Sequence, residues 1–132
     1  MIISVRGARM IINGKERKFM FTVNTAIEIS QMCPDNNLER LEEIISGDDF
    51  TKTLPNIARF IVAMNHGYEM AAHFSDPEHE IDVITMDELL NCDFNVIMEV
   101  LDNAMSVYKN DSKREIKTEA ATTKGKKTKE IQ

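Results

Sequence analysis

A mainly α-helical domain of about five helices, with an N-terminal β-hairpin packed on it and a disordered C-terminal tail, is the expectation from three observations. Asn13-Gly14 stands between two short apolar arms, apolar residues recur at helical spacing from Val23 to Tyr108, and aliphatic residues nearly vanish after Asn110. The 132 residues suffice for one core and not for two comfortable ones. Residues 1–109 therefore read as a single hairpin-plus-helices domain, and residues 110–132 as a flexible charged tail.

Asn-Gly is a strong hairpin signal, because both central residues of a type I′ turn need positive φ. Met10-Ile11-Ile12 precedes the turn, and Phe19-Met20-Phe21 is read as its second arm, with Phe19 and Phe21 on one face and Lys18, Met20 and Thr22 on the other. Ile2, Ile3 and Val5 either extend the first arm or pair separately. Two strands alone are marginal in water, so the hairpin is expected to brace the helices at 54–73 and 94–108 through Phe19 and Phe21. Phe21→Ala is then expected to cost about 3–5 kcal/mol if the ring is fully buried.

After Phe21 the period becomes helical. Val23, Ala26, Ile27 and Ser30 form the expected inner face of the first helix, with Thr22 or Asn24 as cap and Cys33-Pro34 as stop. A second, short helix follows, capped by Asn36 or Asn37, striped by Leu38, Leu41, Ile44 and Ile45, and ended by Gly47. The longest pattern places Thr53 as cap, Pro55 in the tolerated first turn, and Ile57, Phe60, Ile61, Met64, Tyr68 and Ala71 on one stripe. Gly67 inside it costs roughly 1 kcal/mol against alanine, which points to a close helix contact or a bend. "SDPEHEIDVI" reads as a loop. Thr85 and Glu88 have capping-box spacing before a short fourth helix. Asp93 can cap the last helix, striped by Phe94, Ile97, Met98, Leu101, Ala104, Met105 and Tyr108.

The formal charge of −6 is unevenly spread. Residues 111–132 carry seven Lys/Arg against four Asp/Glu, which leaves nine against eighteen, net −9, on residues 1–110. So acidic a body repels phosphate backbones, and no nucleic-acid partner is expected. No run of eighteen apolar residues occurs and "MIISVRGARM" lacks a signal peptide's h-region, so no membrane partner is expected and the localisation is read as cytoplasmic. Cys33 and Cys92 lie far apart without a CxxC or histidine-spaced partner, and read as free thiols.

Chemistry is sparse. No glycine-rich phosphate loop, GxSxG elbow or HExxH is present, so the protein is not read as an enzyme and no cofactor is expected. His66, His73, Asp76, His79 and Glu80 form the best metal candidate, yet His66 and His73 lie two helical turns apart, too far for one ion unaided. Surface histidines beside a polar loop are the favoured account, and no metal site is assigned. The carboxylates Glu39, Glu42 and Glu43, and Asp76, Glu78, Glu80 and Asp82, read as solvated faces, having no partner base.

Nine methionines is a high share for this length. Flexible, polarizable methionine suits surfaces that accept varied apolar partners, although plain core filling explains it as well. Met64, Met98 and Met105, with Tyr68 and Tyr108 ending their stripes, are the candidate partner-binding residues.

The order of these parts resembles a known family. "INGKERKFMFTVNTAIEIS", a hairpin running into a helix with a central glutamate, then "IARFIVAMNHGYEM" and "ITMDELLNCDFNVIMEVLDNAMSVY", is similar to the tail assembly chaperones of long-tailed phages and prophages of Gram-positive bacteria. The resemblance covers about Ile11 to Tyr108 and rests on the order of the segments, none of which is specific singly. It implies a chaperone that coats the tape measure protein and brings tail tube subunits to it, acts in the host cytoplasm, is absent from the mature virion, and in some cases self-associates. It also implies a translational frameshift near the C-terminus, for which "KGKK", with Gly125, Lys126 and Lys127, is the candidate region; a lysine-rich solubilising tail explains the same residues. The extra N-terminal "MIISVRGAR" departs from the family pattern. The competing reading is a small acidic adaptor or regulatory protein that binds a folded bacterial partner.

Overall fold

The computed structural model describes the backbone of residues 10–124 and the side chains of residues 10–112. The roles read for residues 1–9 and for Gly125, Lys126 and Lys127 lie outside the described residues.

Strand β1 (Met10–Ile12) pairs antiparallel with β2 (Lys15–Arg17), Met10 opposite Arg17 and Ile12 opposite Lys15. The two-residue turn has φ 53° at Asn13 and φ 81° at Gly14, the pair of positive values for which Asn-Gly is suited. The second arm, however, is Lys15–Arg17 and not Phe19-Met20-Phe21. Residues 18–21 leave the hairpin and run along a helix, α3 (Phe50–Ser75), where the Met20 N–H donates to the Met64 carbonyl at 3.0 Å. Burial still alternates, with Arg17 and Phe19 inside and Lys18 and Met20 half-buried, so the period was sound although the strand ends early.

Helix α1 (Val23–Met32) starts at the Thr22 cap, whose hydroxyl accepts from the Thr25 N–H, and ends at Cys33. Its inner face is not the one expected. Thr25 and Ile29 are buried, whereas Val23 is 70% exposed and Ile27 50%. The reason lies across the interface on α3: Gly67 leaves room where Thr25 Oγ1 lodges, bonded to the Met20 carbonyl at 3.3 Å and paired with the Thr22 hydroxyl at 2.9 Å. The close contact expected at Gly67 is thus present, made by a polar residue that a hydrophobic pattern does not reveal.

Two tight helical turns, Pro34–Asn36 and Leu38–Arg40, lead into the short helix α2 (Leu41–Ile45), with Asn37 capping the second turn as expected. Helix α3 begins a turn earlier than read, capped by Asp49 and not by Thr53, which is buried; Pro55 consequently lies inside the helix. α3 is the axis of the fold. α1, α2, a short helix α4 (Met86–Leu90) and a long helix α5 (Phe94–Lys124) all pack on it. Ile57, Ala58, Phe60, Ile61, Ala63 and Met64 are buried on several sides of its circumference, as an enclosed helix requires. Thr85 and Glu88 form the capping box in full at the start of α4.

In α5, Ile97, Val100, Leu101 and Ala104 are buried and the stripe ends at Tyr108. The boundary drawn at residue 109 falls inside this helix, whose backbone continues to Lys124; the side chains from residue 113 onward lie outside the described residues. Asp111 holds the linker before α1, its carboxylate accepting from the Phe21 N–H at 3.3 Å. The Phe21 ring meets Tyr108 edge-on at 5.1 Å, and Tyr108 meets Phe60 at 5.7 Å. Phe21 is half-buried, so Phe21→Ala is expected to lower stability by about 2 kcal/mol, short of the 3–5 of a fully enclosed ring. An unmoved urea midpoint would show that the aromatic trio does not brace the linker.

Candidate functional site

Among the described residues, one polar and one apolar place gather side chains that the core does not explain. The polar one lies where the hairpin and the 76–85 loop meet α3. Glu69, buried on α3, accepts from the Asp82 N–H at 3.1 Å and lies 2.8 Å from His79 Nε2. The His79 carbonyl in turn accepts from His73 Nδ1 at 2.9 Å. Asp82 reaches the hairpin, bridging to Lys15 and accepting from the Arg17 guanidinium through its backbone carbonyl. The Lys15 hydrogen bond, aided by the charge of Arg17, holds the Asp82 carboxyl below its ordinary range; the Thr85 backbone N–H does the same for Glu88. An open hollow of about 380 Å³ remains among Lys15, Arg17, Glu69, His79 and Asp82. Cation and carboxylate face each other here, and the arrangement fastens the hairpin to the loop.

The metal candidates do not assemble. His66 lies 3.4 Å from Glu28 of α1, His73 and His79 are engaged as above, and Asp76 caps the turn at Glu78. Among the described residues no group of three His, Cys, Asp or Glu side chains is placed to hold a metal ion. No helix among them is long and apolar enough to cross a membrane.

The apolar place is formed where the N-termini of α3 and α5 lie side by side. Asp49 caps α3, accepting from the Thr51 N–H at 3.1 Å, and Asp93 accepts from the Asn95 N–H at 3.3 Å at the start of α5. Each cap is followed by a phenylalanine, and the rings of Phe50 and Phe94 meet edge-on at 5.4 Å. Phe50 is 49% exposed, Phe94 45%, and Leu90 at the end of α4 47%. Beside them a recess of about 120 Å³ is lined by Leu54, Leu89, Leu90, Cys92, Phe94 and Ile97. Burial first, then the Asp93 carboxylate, pushes the Cys92 thiol up, so it lines the recess as a neutral apolar group rather than a nucleophile. Three large apolar side chains left half in water around a recess are what a docking surface for another apolar segment requires.

The residues singled out from methionine content sit elsewhere. Met64 is fully enclosed and belongs to the core, out of a partner's reach. Met98 and Met105 pack half-buried against the core, and Tyr108 is held between Phe21 and Phe60. Tyr68 faces the polar loop, with Lys18 Nζ 5.7 Å from its ring centre and His79 edge-on at 6.3 Å. Burial raises the Tyr108 hydroxyl above its ordinary value, and Cys33, Glu42 and Glu39 add to the rise. The five therefore do not share one surface. The helical stripe places Phe94 in the core, where it is 45% exposed instead, and no periodic pattern points to Phe50. The available signal was the repeated Asp-Phe at 49–50 and 93–94, an aromatic residue directly after a cap and ahead of the first enclosed position.

No family model matches the chain, and neither a curated protein nor a solved structure is significantly similar to it.

Proposed function

We propose that the protein is a tail assembly chaperone of a long-tailed phage or prophage, which holds apolar helical segments of the tape measure protein and helps bring tail tube subunits to it in the host cytoplasm. The observation that carries the reading is the half-exposed Phe50, Leu90 and Phe94 around the Leu54–Ile97 recess, an apolar docking surface on an acidic body. The hairpin-to-helix order from Ile11 onward supports it, since that order is the basis of the resemblance. Binding by burial of an apolar face needs no catalytic group, and the acidic body keeps such a holder soluble before its partner arrives.

The test is co-expression of the tagged chain with the longest helical protein encoded downstream in its own genome, followed by pull-down. The two should co-purify, and the partner should precipitate when made alone. Leu90→Ser with Phe94→Ser should reduce co-purification by at least about tenfold while circular dichroism stays that of a folded helical protein. A partner that is soluble alone and never co-elutes would sink the proposal and favour the adaptor reading.

A further inference from the structure

The charges around the apolar surface select among the segments that could occupy it. Asp48 and Asp49 directly precede Phe50, Asp93 directly precedes Phe94, and Asp87 stands one helical turn before Leu90 with both side chains exposed. Lys52 is the single Lys or Arg in residues 48–54 and 86–97. Glu88 is engaged elsewhere, in the Thr85 capping box and 3.8 Å from Arg17. Four carboxylates thus oppose one cation at the rim. The two helix N-termini contribute roughly half a positive charge each, which still leaves the rim at about −2.

We infer that the segment docked here is an amphipathic helix of the partner that presents Lys or Arg on the flanks of its apolar face and sets one aliphatic or aromatic side chain in the recess. The inference rests on the docking reading above and adds the partner's charge to it. The recess holds about 120 Å³. Cavities of roughly 150 Å³ lined by Leu, Ile and Phe take up benzene, so there is room for a single side chain of about that size. Cationic flanks meeting Asp48, Asp49, Asp87 and Asp93 gain at the rim what an acidic flank would lose, and they speed encounter with the −9 body. A second copy of this chain is a poor occupant, because a two-fold contact would set the same acidic rim against itself.

The probes are two synthetic amphipathic helices with the same Leu/Phe face, one flanked by Lys and Arg and the other by Glu at those positions. A third keeps the basic flanks and replaces the apolar face with serine. Each is titrated into the isotope-labelled full chain, following backbone amide signals. The basic amphipathic helix should bind at least about tenfold more tightly than the acidic one and shift the amides of Phe50, Leu90 and Phe94. That preference should shrink in high salt, and again in a variant combining Asp48→Asn, Asp49→Asn, Asp87→Asn and Asp93→Asn, in which asparagine preserves both caps. Equal binding of the basic and acidic helices at Phe50, Leu90 and Phe94 would overturn the charge inference and leave the docking reading standing. If neither binds there, both fall. Equal binding by the serine helix would reduce the effect to attraction by the acidic body and overturn the inference. So would a dimer in the absence of peptide whose interface maps to these residues.

Discussion

Asn65→Ala is expected to lower the stability of the domain by about 3–5 kcal/mol. Asn65 is fully enclosed on α3 and ties two segments to that helix from inside the core, beneath the surface pairs that Asp82 makes with Lys15 and Arg17. Its Nδ2 donates to the Lys18 carbonyl at 2.9 Å, and its Oδ1 accepts from the Ile84 N–H at 2.7 Å. Lys18 directly follows the hairpin's second strand, and Ile84, itself 1% exposed, ends the loop before α4. Alanine removes both partners at once, and each buried group stripped of its partner costs about 1–3 kcal/mol, with a small cavity added. Leucine would refill the volume and leave the same two groups unpaired, so Asn65→Leu should recover only the cavity part. Aspartate can accept from Ile84 and cannot donate to Lys18 while ionised, and it places a charge in the core. Urea unfolding with an unchanged m-value gives the comparison. A loss below about 1 kcal/mol for Asn65→Ala would mean that water enters and replaces the amide.

The contrast between Asn65 and the elements around it shows where sequence reasoning reaches. The Asn13-Gly14 turn, the Thr22 cap and the Thr85–Glu88 capping box are demanded by chemistry within four residues, and each stands where it was read. The stripes of the second, third and last helices follow from periodicity, which is also local. Failures begin where a residue is chosen by something distant in sequence. Thr25 turns inward because Gly67 makes room for it, so the apolar Val23 and Ile27 turn outward against the hydrophobic pattern. Asn65 and Glu69 look like polar interruptions of an apolar helix until the carbonyl of Lys18 and the amides of Asp82 and Ile84 are brought to them. The apolar surface at Phe50 and Phe94 stays hidden for the same reason. Phe50 and Phe94 are forty-four residues apart, and only the packing of α3 and α5 puts their rings 5.4 Å from each other. Methionine content pointed to stripes that turned out to be core and core edge, because flexible side chains fill irregular interiors as readily as they serve surfaces.

Gly67→Ala is expected to destabilise the domain by about 2–3 kcal/mol, against the direction that helix propensity alone requires. In an open helix the change would stabilise by roughly 1 kcal/mol. Here a β-carbon would lie 2.2 Å from Thr25 Oγ1 and 2.6 Å from the Met20 carbonyl oxygen, and neither can yield cheaply. The Met20 backbone is tied to α3 by the bond from its N–H to the Met64 carbonyl. Thr25 Oγ1 is tied to the Met20 carbonyl and the Thr22 hydroxyl, and it is short and β-branched, with little rotamer freedom to escape. The strain must therefore be relieved by moving α1 away from α3, which loosens the packing of Ile29 and Cys33 as well. Thr25→Ala removes the nearer of the two collisions. The double variant should accordingly be more stable than the sum of the single losses by at least about 1 kcal/mol, a coupling that a simple loss of the Thr25 hydrogen bonds would not produce. Additive losses would place the strain on the Met20 carbonyl alone. A stabilised Gly67→Ala would mean that α1 sits farther from the central helix than the Thr25–Gly67 contact requires, and the outward turn of Val23 and Ile27 would then need another cause.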